Sequence, residues 1–387
     1  MSASSFGQRF VMTTFGESHG PALGVVIDGC PAGVPFDEGR LRSELARRRP
    51  GTVTASGESI TSARAESDEP EILSGVYQGV TLGTPIAMLV RNQDARSKDY
   101  QEIAEKPRVG HADDVWRGKF GHTDPRGGGR SSGRETVARV MAGAVAQMLL
   151  AQLCPGLSVR GFARQIGPLL LSDEELVALD EAALSVQQID AFAARLPSAR
   201  LSKQVTDLLV AAKQEGRSYG GIIELWMDGV PASLGQPVFH KLKADLAQAM
   251  LSVGATSSVE LGDGVEVASA EGSTFHSKVE KPLRYGGVRG GISTGERIVL
   301  RVACKPTASV LHVAKAGRHD PCIVPRAIPV LEAMAHVVLA DHALWQRTDR
   351  LGIDSANRLY AGQMAWPLAG LALSLGRGVA VCARRDS

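Results

Sequence analysis

The sequence has no uninterrupted apolar run near the roughly 18 residues needed to span a bilayer. Nor is either charge in excess: 43 Lys and Arg stand against 41 Asp and Glu, a net +2. The first absence argues against a membrane anchor read from hydropathy. The second argues against a chain whose whole surface binds polyanions, so basic character must be local. Aromatic residues make up only 5%, too few for an extended surface on which single-stranded nucleic acid would stack. The five cysteines (Cys30, Cys154, Cys304, Cys322 and Cys382) show no C-x-x-C spacing. A zinc ribbon and a disulfide framework are therefore not expected, and a reducing cytoplasm is the expected compartment. The opening residues, MSASSFGQRFVMTTFG, hold no charged segment leading into a long apolar stretch, so no secretory signal is expected.

What is present is a chain of 387 residues, 44% hydrophobic, with enough apolar content for a substantial core. Its 43 glycines cluster at Gly127–Gly129, Gly220–Gly221, Gly286–Gly287 and Gly290–Gly291, where backbone must turn tightly or approach a ligand. Short β-like runs lie between them at Leu23–Ile27, Ile86–Val90, Gly221–Trp226 and Arg297–Ala303. Asp37 is placed to cap a helix through Arg47 that Pro50–Gly51 ends. Ser132 and Glu135 have capping-box spacing ahead of an apolar helix to about Leu153. Leu242, Leu246, Ala249, Met250 and Val253 share one helical face, and a last long helix is expected from about Ile328 to Arg347. The Asp-, Glu- and Ala-rich stretch 172–196 reads as an exposed helical excursion outside the catalytic core. Strands and helices interleave irregularly, with no repeat of fixed period, so the expected class is α+β rather than a doubly wound parallel sheet.

The segment GHADDVWRGKFGHTDPRGGGRSSGRETVAR, from Gly110 to Arg139, carries the most chemistry. Three glycines leave backbone N–H groups exposed, Arg126, Arg130 and Arg134 bracket them, and Ser131–Ser132 lead into a helix. A helix N-terminus with hydroxyls and guanidinium forks beside it receives phosphate or carboxylate. The spacing is not that of a P-loop. Near the N-terminus, FGESHG places Ser18 and His19 at a strand entrance, and GRHDPC puts Arg318, His319 and Asp320 in succession before an apolar helix. A histidine of near-neutral pKa suits acid catalysis on a phosphate leaving group. His240, His276, His312, His336 and His342 stand in plain helical or loop contexts. No pair of histidines has metal-ligand spacing with a third ligand nearby, so no catalytic zinc is expected.

Together these segments resemble chorismate synthase. The resemblance rests on GESHG with LGVVIDG (16–29), RGGGRSSGRET (126–136) and RHDPCIVPRAIPVLEAM (318–334). RRRPGT (47–52), ILSGVYQGVTLGTPI (72–86), RSKDY (96–100), GGISTGE and KPTAS (290–309) support it. The resemblance implies a layered β-α-β sandwich with pseudo-twofold internal symmetry, one catalytic domain over residues 1–387, and a homotetramer. It implies a reduced-FMN-dependent 1,4-elimination of phosphate from 5-enolpyruvylshikimate 3-phosphate, giving chorismate in the shikimate pathway. NADPH enters only if the chain reduces its own flavin, and neither nucleic acid nor membrane is an expected partner.

Carried over, the resemblance assigns acid catalysis to His19, contact with reduced flavin to His111, proton support to Asp320, and a relay to Ser18. Arg48, Arg108, Arg134 and Arg318 would hold the substrate's phosphate and carboxylates. Arg130, Ser131, Ser132, Gly254, Ala255, Gly290, Lys305, Pro306, Thr307, Ala308, Ser309 and Arg318 would hold flavin. Several positions depart from the family pattern. Thr54 stands where a second arginine is usual, with Arg64 a substitute; Leu283, Arg284 and Tyr285 precede the Gly286 pair. Thr256, Ser257 and Ser258 follow the helix end where a lysine is usual, and the segment between KPTAS and GRHDP is short. The other reading is a non-catalytic protein of the same fold that binds flavin or a polyanion.

Overall fold

The β-branched and apolar runs pair into two antiparallel sheets, each of five strands. A computed structural model describes residues 3–49, 67–92, 110–124, 126–276, 282–310 and 319–350. The first sheet contains β1 (Ser5–Phe6), β2 (Val11–Phe15), β3 (Ala22–Asp28), β5 (Pro70–Ile72) and β8 (Ile86–Arg91), in the order β1-β2-β3-β8-β5. Along β8 the alternation of Ile86, Met88 and Val90 with less buried neighbours puts one face inward. A small sheet of β4 (Ala32–Pro35), β6 (Val76–Tyr77) and β7 (Val80–Leu82) is separate, in the order β4-β7-β6.

The second large sheet contains β9 (Ser158–Ile166), β10 (Leu169–Leu170), β11 (Gly221–Asp228), β12 (Thr256–Leu261) and β15 (Ile298–Cys304), in the order β10-β9-β11-β15-β12. The short β13 (Val288–Arg289) and β14 (Ile292–Ser293) form a hairpin. Helices α1 (Glu38–Arg48), α2 (Asp113–Phe120), α3 (Thr136–Leu153), α4 (Asp173–Ala182), α5 (Val186–Asp190), α6 (Ser202–Glu215), α7 (Leu242–Leu251), α8 (Gly272–Phe275) and α9 (Val324–Gln346) are the α-helices among the described residues.

The long α3 and α9 pack on each other, α3 also against β2 and β3, and α9 also against β9 and β11. The layers are thus sheet, paired helices, sheet: the expected β-α-β sandwich. Segments 133–153 and 324–346 are apolar and long enough to cross a membrane by composition. Their most apolar windows are 72% and 94% buried inside the fold, so their apolar surface is core. The two helices approach closely because Gly143 has no side chain; a Cβ there would stand 2.3 Å from Ala333 Cβ.

Sequence signals set several boundaries. Asp37 caps α1, accepting from the Arg40 N–H at 3.0 Å. The capping box expected at Ser132 and Glu135 does not form. The glycine-rich turn runs as 3₁₀ helix through residues 126–131 and 133–135, which leaves Glu135 at the start of α3 rather than one turn inside it. Ser132 Oγ accepts from the Arg134 N–H, and Glu135 pairs with Arg139 at 3.0 Å. The last helix begins at Val324, a turn earlier than expected. Pro325 occupies its first turn, where no N–H donor is needed.

The acidic stretch 172–196 contains α4 and α5, and both open with complete capping boxes, Ser172 with Glu175 and Ser185 with Gln188. Its outer residues are exposed, whereas Leu179, Ile189, Ala194 and Leu196 are buried. At the other end, the Asp341 carboxylate of α9 accepts from the N–H groups of Gln8, Arg9 and Phe10 at 2.9, 2.5 and 2.8 Å, fixing the N-terminal segment to the core.

Candidate active site

The loop after β2 carries Ser18 and His19, both buried. Ser18 Oγ lies 2.9 Å from His19 Nδ1 and donates to the Arg126 carbonyl at 3.3 Å, which seats the imidazole against the glycine-rich turn. Asp124 is close enough to feel the His19 charge. Hydrogen bonds from Arg126 hold its carboxyl below the usual carboxylate range, and His19 adds to the effect. Gly129 allows the turn to close on this loop. Its φ is +51°, and a Cβ there would meet Glu17 Oε2 at 2.7 Å. Burial raises the Glu17 pKa, opposed by the neighbouring Arg130.

Asn92 ties the loop to Arg134. Its Nδ2 donates to the carbonyls of Glu17, Ser18 and Gly20 at 3.3, 3.2 and 2.7 Å, while its Oδ1 accepts from Arg134 Nε at 3.2 Å. Arg134 reaches in turn to Asp68, whose other oxygen receives Arg48 Nη2 at 2.6 Å. Arg48, Asp68 and Arg134 are all buried. Burial pushes the Arg48 pKa down; Asp68 opposes this, and the like charges of Arg326 and Arg134 add to it. Three guanidiniums so placed favour the entry of an anion, which relieves their mutual repulsion.

Arg326, on the first turns of α9, donates to Asp320 Oδ2 at 2.9 Å. Asp320 Oδ1, Arg326 Nε and His319 Nδ1 are buried with no hydrogen-bond partner, as expected of polar atoms reserved for a ligand. The Asp320 carbonyl accepts from Thr307 Oγ1 at 2.8 Å, and the Thr307 carbonyl from Ser218 Oγ at 2.9 Å. Lys305 Nζ donates to the Gly110 carbonyl at 2.9 Å, and its N–H to Ala255 O at 2.9 Å. Ala308 lies beside Gly110. Asp320, the Lys305–Ser309 run, Ala255 and the His111 loop therefore belong to one neighbourhood.

The other expected residues divide. Arg130 is committed to the first sheet, donating to Gly16 O at 3.1 Å and to Thr14 Oγ1 at 2.6 Å. Ser131 donates to Gly128 O within its own turn. Gly290 tips the β13–β14 hairpin, away from the glycine-rich turn at 126–131 in sequence. Arg108, Arg318, Thr54, Arg64 and His312 lie outside the described residues. The departures near Met250 and Gly286 have local uses. Thr256 Oγ1 donates to Met250 O and Val253 O at 3.0 and 2.7 Å, ending α7. Tyr285 Oη is 2.6 Å from His276 Nδ1. His240 and His342 share Asp245, and His336 bonds the Glu332 carbonyl.

A cavity of about 470 Å³ opens beside the His19 loop. Trp116, Phe120, Arg117, His122, Arg130 and Glu17 are among its walls. The size suits a small-molecule site. Paired aromatics with cationic neighbours suit a flat ring bearing an anionic tail. Reading the sequence alone missed Asp68, Asn92 and Arg326. Arg326 stands in the RHDPCIVPRAIP stretch six residues beyond Asp320, in the first turn of α9, and that proximity was the available signal.

The family model described as chorismate synthase matches residues 10–344. The chorismate synthase of Bdellovibrio bacteriovorus is 62% identical over 351 residues, covering 91% of this chain and 100% of that one. That of Roseiflexus castenholzii is 44% identical over 373 residues, covering 91% and 99%. A crystal structure of chorismate synthase superposes with a TM-score of 0.72 at 31% identity, over 91% of this chain and 96% of the other.

Proposed function

The chain belongs to the chorismate synthase family, phosphate lyases of the shikimate pathway whose members use reduced FMN, and we propose how its own residues divide that work. The substrate the family implies is 5-enolpyruvylshikimate 3-phosphate. His19 donates the proton that the leaving phosphate needs, with Ser18 orienting the ring through its 2.9 Å contact. Arg48 and Arg134, spaced by Asp68, receive the phosphate and carboxylate groups, with Arg108 and Arg318 completing the set. Asp320 would support proton movement at the flavin site, and His111 would contact the reduced flavin. The flavin would be held by Lys305, Pro306, Thr307, Ala308 and Ser309, with Gly254, Ala255, Gly290, Arg130, Ser131, Ser132 and Arg318 as the further positions that the family resemblance assigns to it. Bound in its reduced form, FMN would supply the electron-rich group that the elimination uses. The observation that carries this reading is the unbroken line of contacts from the His19 loop through Asn92, Arg134 and Asp68 to Arg48.

We propose further that residues 1–387 act as one catalytic domain and assemble as a homotetramer. Phe239 and Tyr77, 87% and 65% exposed, are apolar surface that subunit contacts would cover. The buried unpaired thiols Cys30, Cys154, Cys304 and Cys322 suit a reducing cytoplasm. An anaerobic turnover assay tests the catalytic reading, with photoreduced FMN in one arm and NADPH plus oxidised FMN in the other. Phosphate and chorismate released in the first arm support the assignment, and release in neither overturns it. Release in the second as well assigns flavin reduction to the chain. Light scattering on the eluted protein reads the subunit number.

A further inference from the structure

We infer that Arg195 is a positioning residue that sets the spacing of two guanidiniums in the anion site, those of Arg48 and Arg326. This rests on the substrate-binding reading of Arg48 given above. Arg195 follows α5, within the acidic stretch whose sequence gave no sign of a link to the site. It donates from Nη2 to the Arg47 carbonyl at 2.8 Å and from Nη1 to the Pro325 carbonyl. Each acceptor belongs to the residue immediately before a site arginine.

Both carbonyls lack their usual helical partners. The Arg47 carbonyl is in the last turn of α1, beyond the reach of intrahelical donors. The Pro325 carbonyl would normally accept from residue 329, but that residue is Pro329 and has no N–H. One guanidinium therefore supplies the donors that two separate helices lack, and it fixes their ends relative to each other. The Arg195 Nε–Asp190 pair at 2.7 Å aims the fork, and Asp190 also holds Arg47 at 2.6 Å. Ala194 and Arg195 both adopt left-handed backbone, φ +53° and +56°. Such a conformation persists in residues other than glycine only where surrounding contacts determine it.

The site needs a brace of this kind. Arg48 and Arg326 repel each other, and Asp68 and Asp320 hold only the tips of Arg48 and Arg326, respectively. Arg195 acts at the backbone, behind the side chains, and touches neither substrate nor flavin. Loosening it widens the gap between two anion-binding groups and leaves the acid at His19 in place.

The test is steady-state kinetics of Arg195→Met and Arg195→Lys with FMN kept reduced, beside Arg48→Ala as control. Inorganic phosphate serves as competitive inhibitor. Arg195→Met is expected to raise KM for the phosphorylated substrate ~10-fold and the phosphate inhibition constant in parallel, with kcat within about twofold of wild type. Arg195→Lys, which keeps the charge beside Asp190, is expected to fall between. Unchanged KM in Arg195→Met alongside a raised KM in Arg48→Ala overturns this inference alone. Unchanged KM in Arg48→Ala overturns the site assignment beneath it. If Arg195→Met does not fold, Arg195→Lys decides: wild-type KM there, or failure of both variants to fold, makes the residue a folding element and overturns the positioning role.

Discussion

Nη2 of Arg48 lies 2.6 Å from a carboxylate oxygen of Asp68, and both side chains are closed to solvent. Burial opposes ionisation of Asp68 most strongly, yet Arg48 and Arg134 together outweigh it and hold its pKa below the usual carboxylate value. A carboxyl whose folded pKa lies below its unfolded one contributes stability that is full above the unfolded value, near pH 4. That stability is lost as pH falls through the folded value.

Asp68→Asn removes the charge that separates two buried guanidiniums. Breaking a buried pair on one side costs on the order of 3–5 kcal/mol, so the variant is expected to melt markedly lower at pH 7. It is also expected to lack the additional acid sensitivity below about pH 4 that the ionised Asp68 confers on wild type. Thermal melts across pH 3–7 check both points. An Asp68→Asn profile parallel to wild type below pH 4 contradicts the linkage.

Local patterning made the frame legible, and long-range pairing hid much of the site. The apolar runs at Leu23–Ile27, Ile86–Val90, Gly221–Trp226 and Arg297–Ala303 all lie on strands of the two large sheets, apart from Arg297, which directly precedes β15. Their β-branched residues and flanking glycines signal this without tertiary information. Asp37 announced α1 through the same short-range logic. Asp68 and Asn92 carried no comparable signal. Asp68 meets Arg134 across 66 positions and Asn92 meets it across 42, and one acidic or amide residue in a polar stretch looks like any other. The Ser132–Glu135 spacing misled because triple glycine lets the backbone tighten into 3₁₀ turns that shift the register of the helix start.

The approach of α3 to α9 at Gly143 gives a second prediction. A methyl group there meets Ala333 Cα at 2.5 Å as well as its Cβ, and neither backbone can yield locally. Gly143→Ala is expected to destabilise by ~1–3 kcal/mol through overpacking, with Tm lower by a few degrees and kcat of the folded enzyme little changed. Calorimetry alongside turnover measures the two separately. An equal or higher Tm refutes the close approach.

His336 on α9 supplies a third prediction, in a different pH window. Burial pushes its pKa from 6.5 down to about 4, with Arg47 and Arg40 adding to the effect and Glu44 and the Glu332 carbonyl opposing it. The folded state therefore resists a proton that the unfolded chain accepts. Stability from this group is full above about pH 6.5 and declines as pH falls toward 4, by a total on the order of 3 kcal/mol. His336→Gln, which keeps a donor for the Glu332 carbonyl, is expected to flatten the loss of Tm between pH 7 and 5. The Asp68 effect lies below that range, so the two are separable in one set of melts. Identical slopes for wild type and variant over pH 5–7 would remove His336 as the source.

The chemistry itself is tested at His19. Its imidazole is buried beside the glycine-rich turn, with Ser18 Oγ at Nδ1 and the Asp124 carboxylate nearby. This combination keeps the ring oriented toward the place where a phosphate oxygen gains charge. A positioned general acid is worth ~10²–10⁴ in rate. His19→Ala is therefore expected to lower kcat at least ~100-fold while KM stays nearly constant, because Arg48 and Arg134 still hold the substrate. Ser18→Ala removes only the orienting contact, and its loss is expected to be smaller, about tenfold. Anaerobic phosphate release with reduced FMN reads all three proteins. Near-normal kcat in His19→Ala would take the proton donor elsewhere, whereas a KM effect without a kcat effect would recast His19 as a binding group.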